Sequence, residues 1–179
     1  MSNRLPVEVN PFRLIEQRRQ LSGMVQMSNL PRLCELLMPG TDTGKFDVEL
    51  EFMHSPSQLP LISGQVSGQV ILECQRCLEP VKVDVDARIN VVVTASHTDR
   101  RPEEEGYELC IIEDERLFLQ DFIEDEILLT LPGVPRHEQC EPVRLIREIP
   151  DVNDADDEQS AQEENENPFA VLKDWKKTE

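Results

Sequence analysis

The chain has 179 residues, of which 36 are acidic and 18 basic, so its formal net charge is −18. That length allows one domain with a hydrophobic core plus tails, while a hydrophobic fraction of 39% is low for a chain that is folded throughout. No apolar run is long enough to cross a membrane, and the N-terminus lacks the apolar segment of a signal peptide, so we expect a cytoplasmic protein without membrane contact. The acidity also disfavours non-specific binding to nucleic acid, which depends on Lys and Arg.

The N-terminal region predicts short elements. Leu5–Val9 has the pattern of a short edge strand, and Asn10 followed by Pro11 is typical of a helix N-cap with proline at the first helical position. We expect this helix to run as far as Arg19, with a further strand over Leu21–Met27.

A second helix and a long strand follow. Ser28-Asn29 offers an N-cap for apolar residues spaced three and four apart, and Pro39-Gly40 would end that helix. Lys45–His54 alternates strictly between apolar and acidic or polar residues, which predicts a half-buried strand.

Gly64–Val93 is the stretch around which the chain is organised. Apolar and polar residues alternate on both sides of Cys74-Gln-Arg-Cys77, and Pro80 follows, a residue that cannot donate to a strand ladder. The pattern predicts a long hairpin that carries two thiols at its tip.

The next segments complete the predicted fold. Tyr107–Glu113 resembles a short strand, and apolar residues over Leu117–Leu131 change to helical spacing. We therefore expect an α+β fold, an antiparallel β-meander of about four strands or a partly closed sheet covered by a few helices, as a single domain over residues 1–150.

Four acids lie along that last helix: Asp121, Glu124, Asp125 and Glu126. Paired carboxylates can serve acid–base catalysis, but no histidine or nucleophile is placed to work with them, so we interpret all four as a solvated face. We expect no catalytic residues and no enzyme activity.

The C-terminal region divides in two. Residues 151–166 contain eight acidic residues, from Asp151 to Glu166, and no basic residue, which predicts an acidic disordered linker. Residues 167–179 then form a short, capped, amphipathic helical motif in which Phe169, Leu172 and Trp175 recur three apart. A tethered aromatic helix is typical of a partner-docking motif, and folding back onto its own domain is the alternative.

The two hairpin thiols allow three interpretations. In the first, Cys74 and Cys77 have the spacing of two ligands to one metal ion. His137 and Cys140 would complete the ligand set of a zinc ion if the fold returned that segment to the hairpin tip. The second interpretation is a plain structural turn. The third is a redox pair, which we disfavour because strands flank the motif and a helix N-terminus to lower the thiol pKa is missing.

Arginines are concentrated near the N-terminus. The first 32 residues contain only two glutamates and five arginines: Arg4, Arg13, Arg18, Arg19 and Arg32. They allow a direct RNA-binding module that would use Arg13, Arg18, Arg19 and Arg76. Stacking aromatics are sparse and no RNA-binding motif is present, so the acidity of the chain fits a basic protein partner better.

Four motifs occur in register: Leu72-Glu-Cys-Gln-Arg-Cys-Leu-Glu-Pro80, Glu124-Asp-Glu-Ile-Leu-Leu-Thr-Leu-Pro132, Val134-Pro135-x-His137 with Cys140, and Asn167-Pro-Phe-Ala-Val-Leu172. On these motifs the chain closely resembles the bacterial YceD family of large ribosomal RNA subunit accumulation proteins. The resemblance implies a non-enzymatic cytoplasmic factor for the synthesis, processing or stability of 23S rRNA. For such a factor we expect partners among ribosome assembly factors or basic large-subunit ribosomal proteins, with rRNA itself as the other candidate.

The resemblance bears on the metal as well. Some relatives look to carry a second Cys-x-x-Cys pair after the proline-rich segment, which would complete a four-cysteine zinc site. This chain has only His137 and Cys140 there, so we expect substoichiometric zinc or none.

Overall fold

The structure is a computed structural model that describes residues 4–95, 106–112 and 114–143. In chain order the elements are β1 (Glu8–Val9), α1 (Pro11–Glu16), β2 (Gln20–Gln26), a 3₁₀ turn (Met27–Asn29), α2 (Pro31–Cys34), β3 (Lys45–His54), β4 (Pro60–Glu73), β5 (Pro80–Thr94), β6 (Glu108–Ile111), β7 (Leu117–Phe118) and α3 (Leu119–Thr130). The predicted acidic linker and terminal helix lie outside the described residues, and the predicted domain boundaries remain predictions.

The main sheet has five strands in the order β2-β3-β4-β5-β6. The first four are consecutive antiparallel neighbours, as the meander prediction required, but β6 runs parallel to β5. The prediction of about four antiparallel strands was wrong at this edge. The connection over residues 95–107 is long enough for a parallel crossover, which needs about a dozen residues, whereas antiparallel neighbours can be joined by a tight turn.

The central hairpin is confirmed. Strands β4 and β5 pair from Leu61↔Val92 to Glu73↔Pro80, so the Cys-x-x-Cys turn lies at the tip. Phe46 of β3 packs across Gly68, where an added Cβ would lie 2.4 Å from the Phe46 ring. A residue with a side chain could not take that place without displacing the ring.

The helices cover one face of the sheet. Phe46, Val48, Leu50 and Phe52 alternate as buried residues along β3, and α3 adds four buried apolar residues to the same core: Leu119, Phe122, Ile123 and Ile127. The sheet does not close, so the expectation of a partly closed sheet was wrong. Its strands run in sequence from β2 to β6, and no pairing joins these two within the described part of the chain.

The predicted N-cap is confirmed for α1 and wrong for α2. The Asn10 side chain accepts the Arg13 N–H at 2.9 Å, as a helix N-cap does, but α1 ends at Glu16, because Arg18 adopts a left-handed conformation with φ of 47°. The second helix begins at Pro31 with Leu30 at the N-cap position, since Met27–Asn29 form a 3₁₀ turn in place of the predicted cap.

The prediction that all four acids of the last helix are solvated was wrong for Glu124. Its side chain is buried and accepts hydrogen bonds from Arg32 Nε at 2.9 Å and from the Leu33 N–H at 3.0 Å. The reason can be read from the helix itself: Ile127, Leu128 and Leu131 lie three, four and seven positions further on, so Glu124 belongs to the apolar stripe. It ties α3 to α2.

No helix within the described ranges has the length and apolarity that a membrane span requires.

Candidate metal centre

The hairpin tip is a tight turn between β4 and β5. The Leu78 N–H donates to the Cys74 carbonyl at 2.9 Å, and the Cys74 N–H donates to the Glu79 carbonyl at 3.0 Å. Leu78 takes a left-handed conformation, with φ of 62°. These bonds bend the chain within one turn, so both thiols face the same side.

The segment after α3 crosses this tip. The Gln75 N–H donates to the Pro135 carbonyl at 2.8 Å, and the Val143 N–H donates to the Arg76 carbonyl at 3.1 Å. The Arg76 side chain also donates to the Cys140 carbonyl at 3.3 Å. Residues 132–143, which we call the crossing segment, form no helix or strand and depend on such contacts.

The crossing brings Cys74, Cys77, His137 and Cys140 together, with their ligand atoms all within 4.8 Å of one another. The sulfurs of Cys74 and Cys140 are 3.8 Å apart, and Cys77 Sγ lies 3.3 Å from His137 Nδ1. Three thiols and one imidazole match the donor types and number of a tetrahedral structural zinc site. The four residues therefore form a group that could hold a metal ion.

The imidazole is oriented from its other side. His137 Nε2 lies 3.1 Å from the Pro80 carbonyl oxygen, which can only accept. A proton on Nε2 therefore leaves a lone pair on Nδ1, the nitrogen that faces Cys77. This is the tautomer that a metal ligand requires, and a backbone carbonyl commonly fixes it.

The Cys74 thiol is tuned to ionise. Burial by itself raises its pKa, but hydrogen bonds from the backbone N–H groups of Cys77, His137 and Arg76, together with the Cys77 side chain, outweigh burial and lower the pKa to about 5. The pKa of Cys140 is raised by burial and by the neighbouring sulfurs of Cys74 and Cys77.

This result corrects one part of the argument against redox chemistry. Strands flank the motif, with β4 ending at Glu73 and β5 beginning at Pro80, so the missing helix N-terminus is as expected. The missing helix end does not leave the thiol pKa at its ordinary value, because backbone N–H groups of the turn stabilise the Cys74 thiolate instead. The Cys74 side chain is nevertheless fully buried, which denies a disulfide substrate access to its sulfur.

The other predicted binding residues lie elsewhere or have other contacts. Arg13, Arg18 and Arg19 are exposed on α1 and the turn before β2, and two of them line a recess beside His54. Arg76 is at the metal cluster, where it holds the crossing segment. Phe169, Leu172 and Trp175 lie outside the described residues.

Sequence reasoning missed the backbone groups of this site. The folded turn shows that the Pro80 carbonyl orients His137 and that the Pro135 carbonyl accepts the Gln75 N–H. The sequence does not indicate these contacts, because every residue type carries a backbone carbonyl. The prolines themselves are a weak signal, since each lies within three residues of a ligand in the sequence.

An open α+β sheet with a Cys₃His group where a hairpin tip meets a crossing segment defines the class: a small sheet protein with a group that could hold a metal ion. The chain belongs to the family described as large ribosomal RNA subunit accumulation protein YceD, whose family model matches residues 62–176. That range includes all four residues of the cluster. The resemblance predicted from the motifs is confirmed.

A curated relative gives the same result. The chain is 32% identical over 141 residues to the large ribosomal RNA subunit accumulation protein YceD of Haemophilus influenzae, an alignment that covers 77% of this chain and 80% of the relative. No solved structure matches the chain.

Proposed function

We propose that this chain is a non-enzymatic, cytoplasmic factor that supports the synthesis, processing or stability of large-subunit 23S rRNA. Membership of a family named for accumulation of this RNA is the observation that carries the proposal. The Cys₃His group agrees with a role other than catalysis, because four protein ligands leave no position for a metal-bound water or substrate.

The proposal includes one zinc ion per chain at Cys74, Cys77, His137 and Cys140, in place of the substoichiometric zinc or absence of zinc expected from the sequence. The convergence of four ligand atoms and the preset His137 tautomer support it. When bound, zinc would link the hairpin tip to the crossing segment, two parts of the chain about sixty residues apart.

Elemental analysis of the purified chain tests the zinc. We expect one zinc per chain, lost on Cys140→Ser. Cys34→Ser is the matched control, because the Cys34 thiol contacts the Met27 carbonyl and is absent from the cluster. A metal-free wild-type protein that fails to take up added zinc would refute this part of the proposal.

We further propose that the factor acts through protein contacts with assembly factors or basic large-subunit ribosomal proteins. Its charge of −18 supports this, because long-range repulsion opposes binding to RNA phosphates and favours basic proteins.

Direct RNA binding is the second candidate. It is supported by the exposed side chains of Arg13, Arg18 and Arg19, for which the structure gives no ion pair within the described residues. Two experiments distinguish the candidates. Gel shifts on 23S fragments across a salt series test direct RNA binding, and a pull-down of ribosomal proteins tests protein contacts. Binding to RNA that weakens steeply with salt and is lost on Arg18→Gln/Arg19→Gln would favour the second.

The terminal helical motif supplies a test in cells. We propose that residues 167–179 dock onto a partner, so their deletion should leave the melting temperature within a few degrees while abolishing co-sedimentation with large-subunit precursors in sucrose gradients. The double variant Phe169→Ala/Trp175→Ala, which retains the length of the chain, should behave like the deletion. A truncated chain that melts far earlier, or still co-sediments, would contradict the docking role.

A further inference from the structure

Strand β6 leaves one edge of the sheet open. It pairs with β5 alone, and no other strand lies beside it in the described part of the chain. In the parallel register Thr94 faces Ile111, and the Ile112 N–H donates to the Thr94 carbonyl at 2.9 Å. Because backbone groups alternate in direction along a strand, the N–H and C=O of Ile111 point away from β5. No strand of the described residues pairs with them, so they offer an added strand its backbone partners.

A recess of about 540 Å³ lies beside that edge, between β6 and the start of α3. Its apolar lining includes Ile112, Leu117 and Phe122, which are buried, together with the half-buried Ile111. We call this recess and the free edge of β6 the β6 groove. It offers apolar surface next to backbone groups with which no strand among the described residues pairs.

The charges that line the groove are mainly negative. Asp114, Asp121 and Asp125 contribute carboxylates, whereas the single basic residue of the lining, Arg116, is bound through two nitrogens to Glu8 at 2.8 and 2.7 Å. Within the described residues Asp125 forms an ion pair with Arg32, and the charge of Asp114 helps to raise the pKa of Arg116, whose guanidinium is already bound to Glu8.

Negative charge continues from the groove along α3 and β6. The pKa of Glu126 is raised first by burial and then by repulsion from Glu108 and Asp125, so like charges already crowd this end of the groove. Positive charge brought to the groove would relieve that repulsion.

We propose that the β6 groove binds an extended, basic segment of a partner protein by strand addition. The backbone of the segment would pair with Ile111, its alternate apolar side chains would enter the recess, and its Lys or Arg side chains would meet Asp114 and Asp121. This inference rests on the proposed function, whose partner it specifies: a basic protein that presents an extended segment with alternating apolar residues.

The probe is a fluorescein-labelled octapeptide of alternating Lys and Val, titrated with the full chain in fluorescence anisotropy. An octapeptide of alternating Glu and Val is the control for charge. We expect the basic peptide to bind, with an affinity that falls as salt rises, and the acidic one not to bind. Absence of binding by the basic peptide at low salt overturns the inference.

Two pairs of variants locate the binding. Asp114→Asn/Asp121→Asn should weaken the basic peptide roughly fivefold or more at low salt, the scale of two exposed charge contacts. Asp47→Asn/Glu49→Gln removes the same charge from exposed positions of β3, on the other face of the sheet, and should leave affinity nearly unchanged. Equal losses in both pairs would mean general electrostatic attraction and would overturn the groove.

The backbone contact has its own test. Ile111→Pro removes the outward N–H but no bond to β5, and edge strands tolerate proline. Ile111→Ala keeps the N–H and removes only apolar surface. We expect the proline variant to lose binding and the alanine variant to retain most of it. If Ile111→Pro fails to fold by circular dichroism, the aspartate variants decide.

Failure of the groove can be told from failure of the proposed function. A wild-type chain that co-sediments with large-subunit precursors, and does so equally as Asp114→Asn/Asp121→Asn, keeps its function but contradicts the groove as the partner site. A wild-type chain that binds the peptide but never co-sediments supports the groove and contradicts the proposed function. Tighter binding of a 23S RNA oligonucleotide than of the peptide, sensitive to the same aspartates, would overturn the groove as a peptide site.

Discussion

The sheet core and the hairpin tip of this protein are stabilised by different means. In the core, Phe46 and Phe52 are almost fully buried and long strands exclude water along their whole inner face. At the tip, residues 132–143 have no regular structure, and a few backbone hydrogen bonds with the Cys₃His group hold them. The comparison teaches that apolar burial stabilises the core, whereas the tip has only a few backbone hydrogen bonds and a group that could hold a metal ion.

The core can be broken without changing the chemistry of the tip. Phe46→Ala should lower the free energy of unfolding by about 3–5 kcal/mol, because it deletes a buried ring and leaves a cavity above Gly68. Urea denaturation measures the loss. The folded fraction should still bind zinc in the ratio of the wild type, and a lower ratio would mean that core and tip are not separable.

The link between α2 and α3 comes next. Glu124→Ala should cost about 2–3 kcal/mol, because it leaves the buried Leu33 N–H without an acceptor, while the half-exposed Arg32 can still reach water. The same denaturation experiment applies, with the exposed Glu49→Ala expected to stay within about 0.5 kcal/mol of wild type. Equal effects for the two variants would contradict the assigned role of Glu124.

The tip should respond locally. In zinc-free buffer, Cys140→Ser should change the global free energy of unfolding by no more than about 1 kcal/mol, the range of a mild substitution at a partly buried site.

Hydrogen exchange sharpens this point. Removing zinc from the wild type should speed amide exchange at residues 74–80 and 132–143 and leave β3 and β4 protected. Faster exchange throughout the sheet would show that the metal holds the whole domain.

The smallest expected effect is an acid-dependent one at Glu8. The side-chain hydrogen bond from Arg116 lowers the Glu8 pKa below its ordinary value of 4.5. Its contribution is therefore present above pH 4.5 and is lost as the pH falls through the lowered pKa. The melting temperature of Arg116→Gln should lie slightly below that of wild type at neutral pH, and the gap should close in acid. A gap that persists in acid would have another cause.

Parts of the candidate site were predictable from the sequence and parts were not. Cys74 and Cys77 stand out because alternation on both sides locates a turn. His137 and Cys140 could be matched to them only as a possibility, since no local pattern states that the segment after α3 returns to the tip. The lowered pKa of Cys74 was not predictable, because the backbone N–H groups that cause it carry no residue signature.

Local periodicity by itself determined the strand β3, the hairpin of β4 and β5, the Asn10 cap and the helix after Leu117, because each depends on neighbours within one element. Only the tertiary structure decided that β6 runs parallel, that Arg32 and the Leu33 N–H are the partners of Glu124, and that two segments about sixty residues apart share one cluster. These features depend on how a long connection closes and which faces meet. Their free energies come from contacts between distant residues, which periodicity within a single element does not encode.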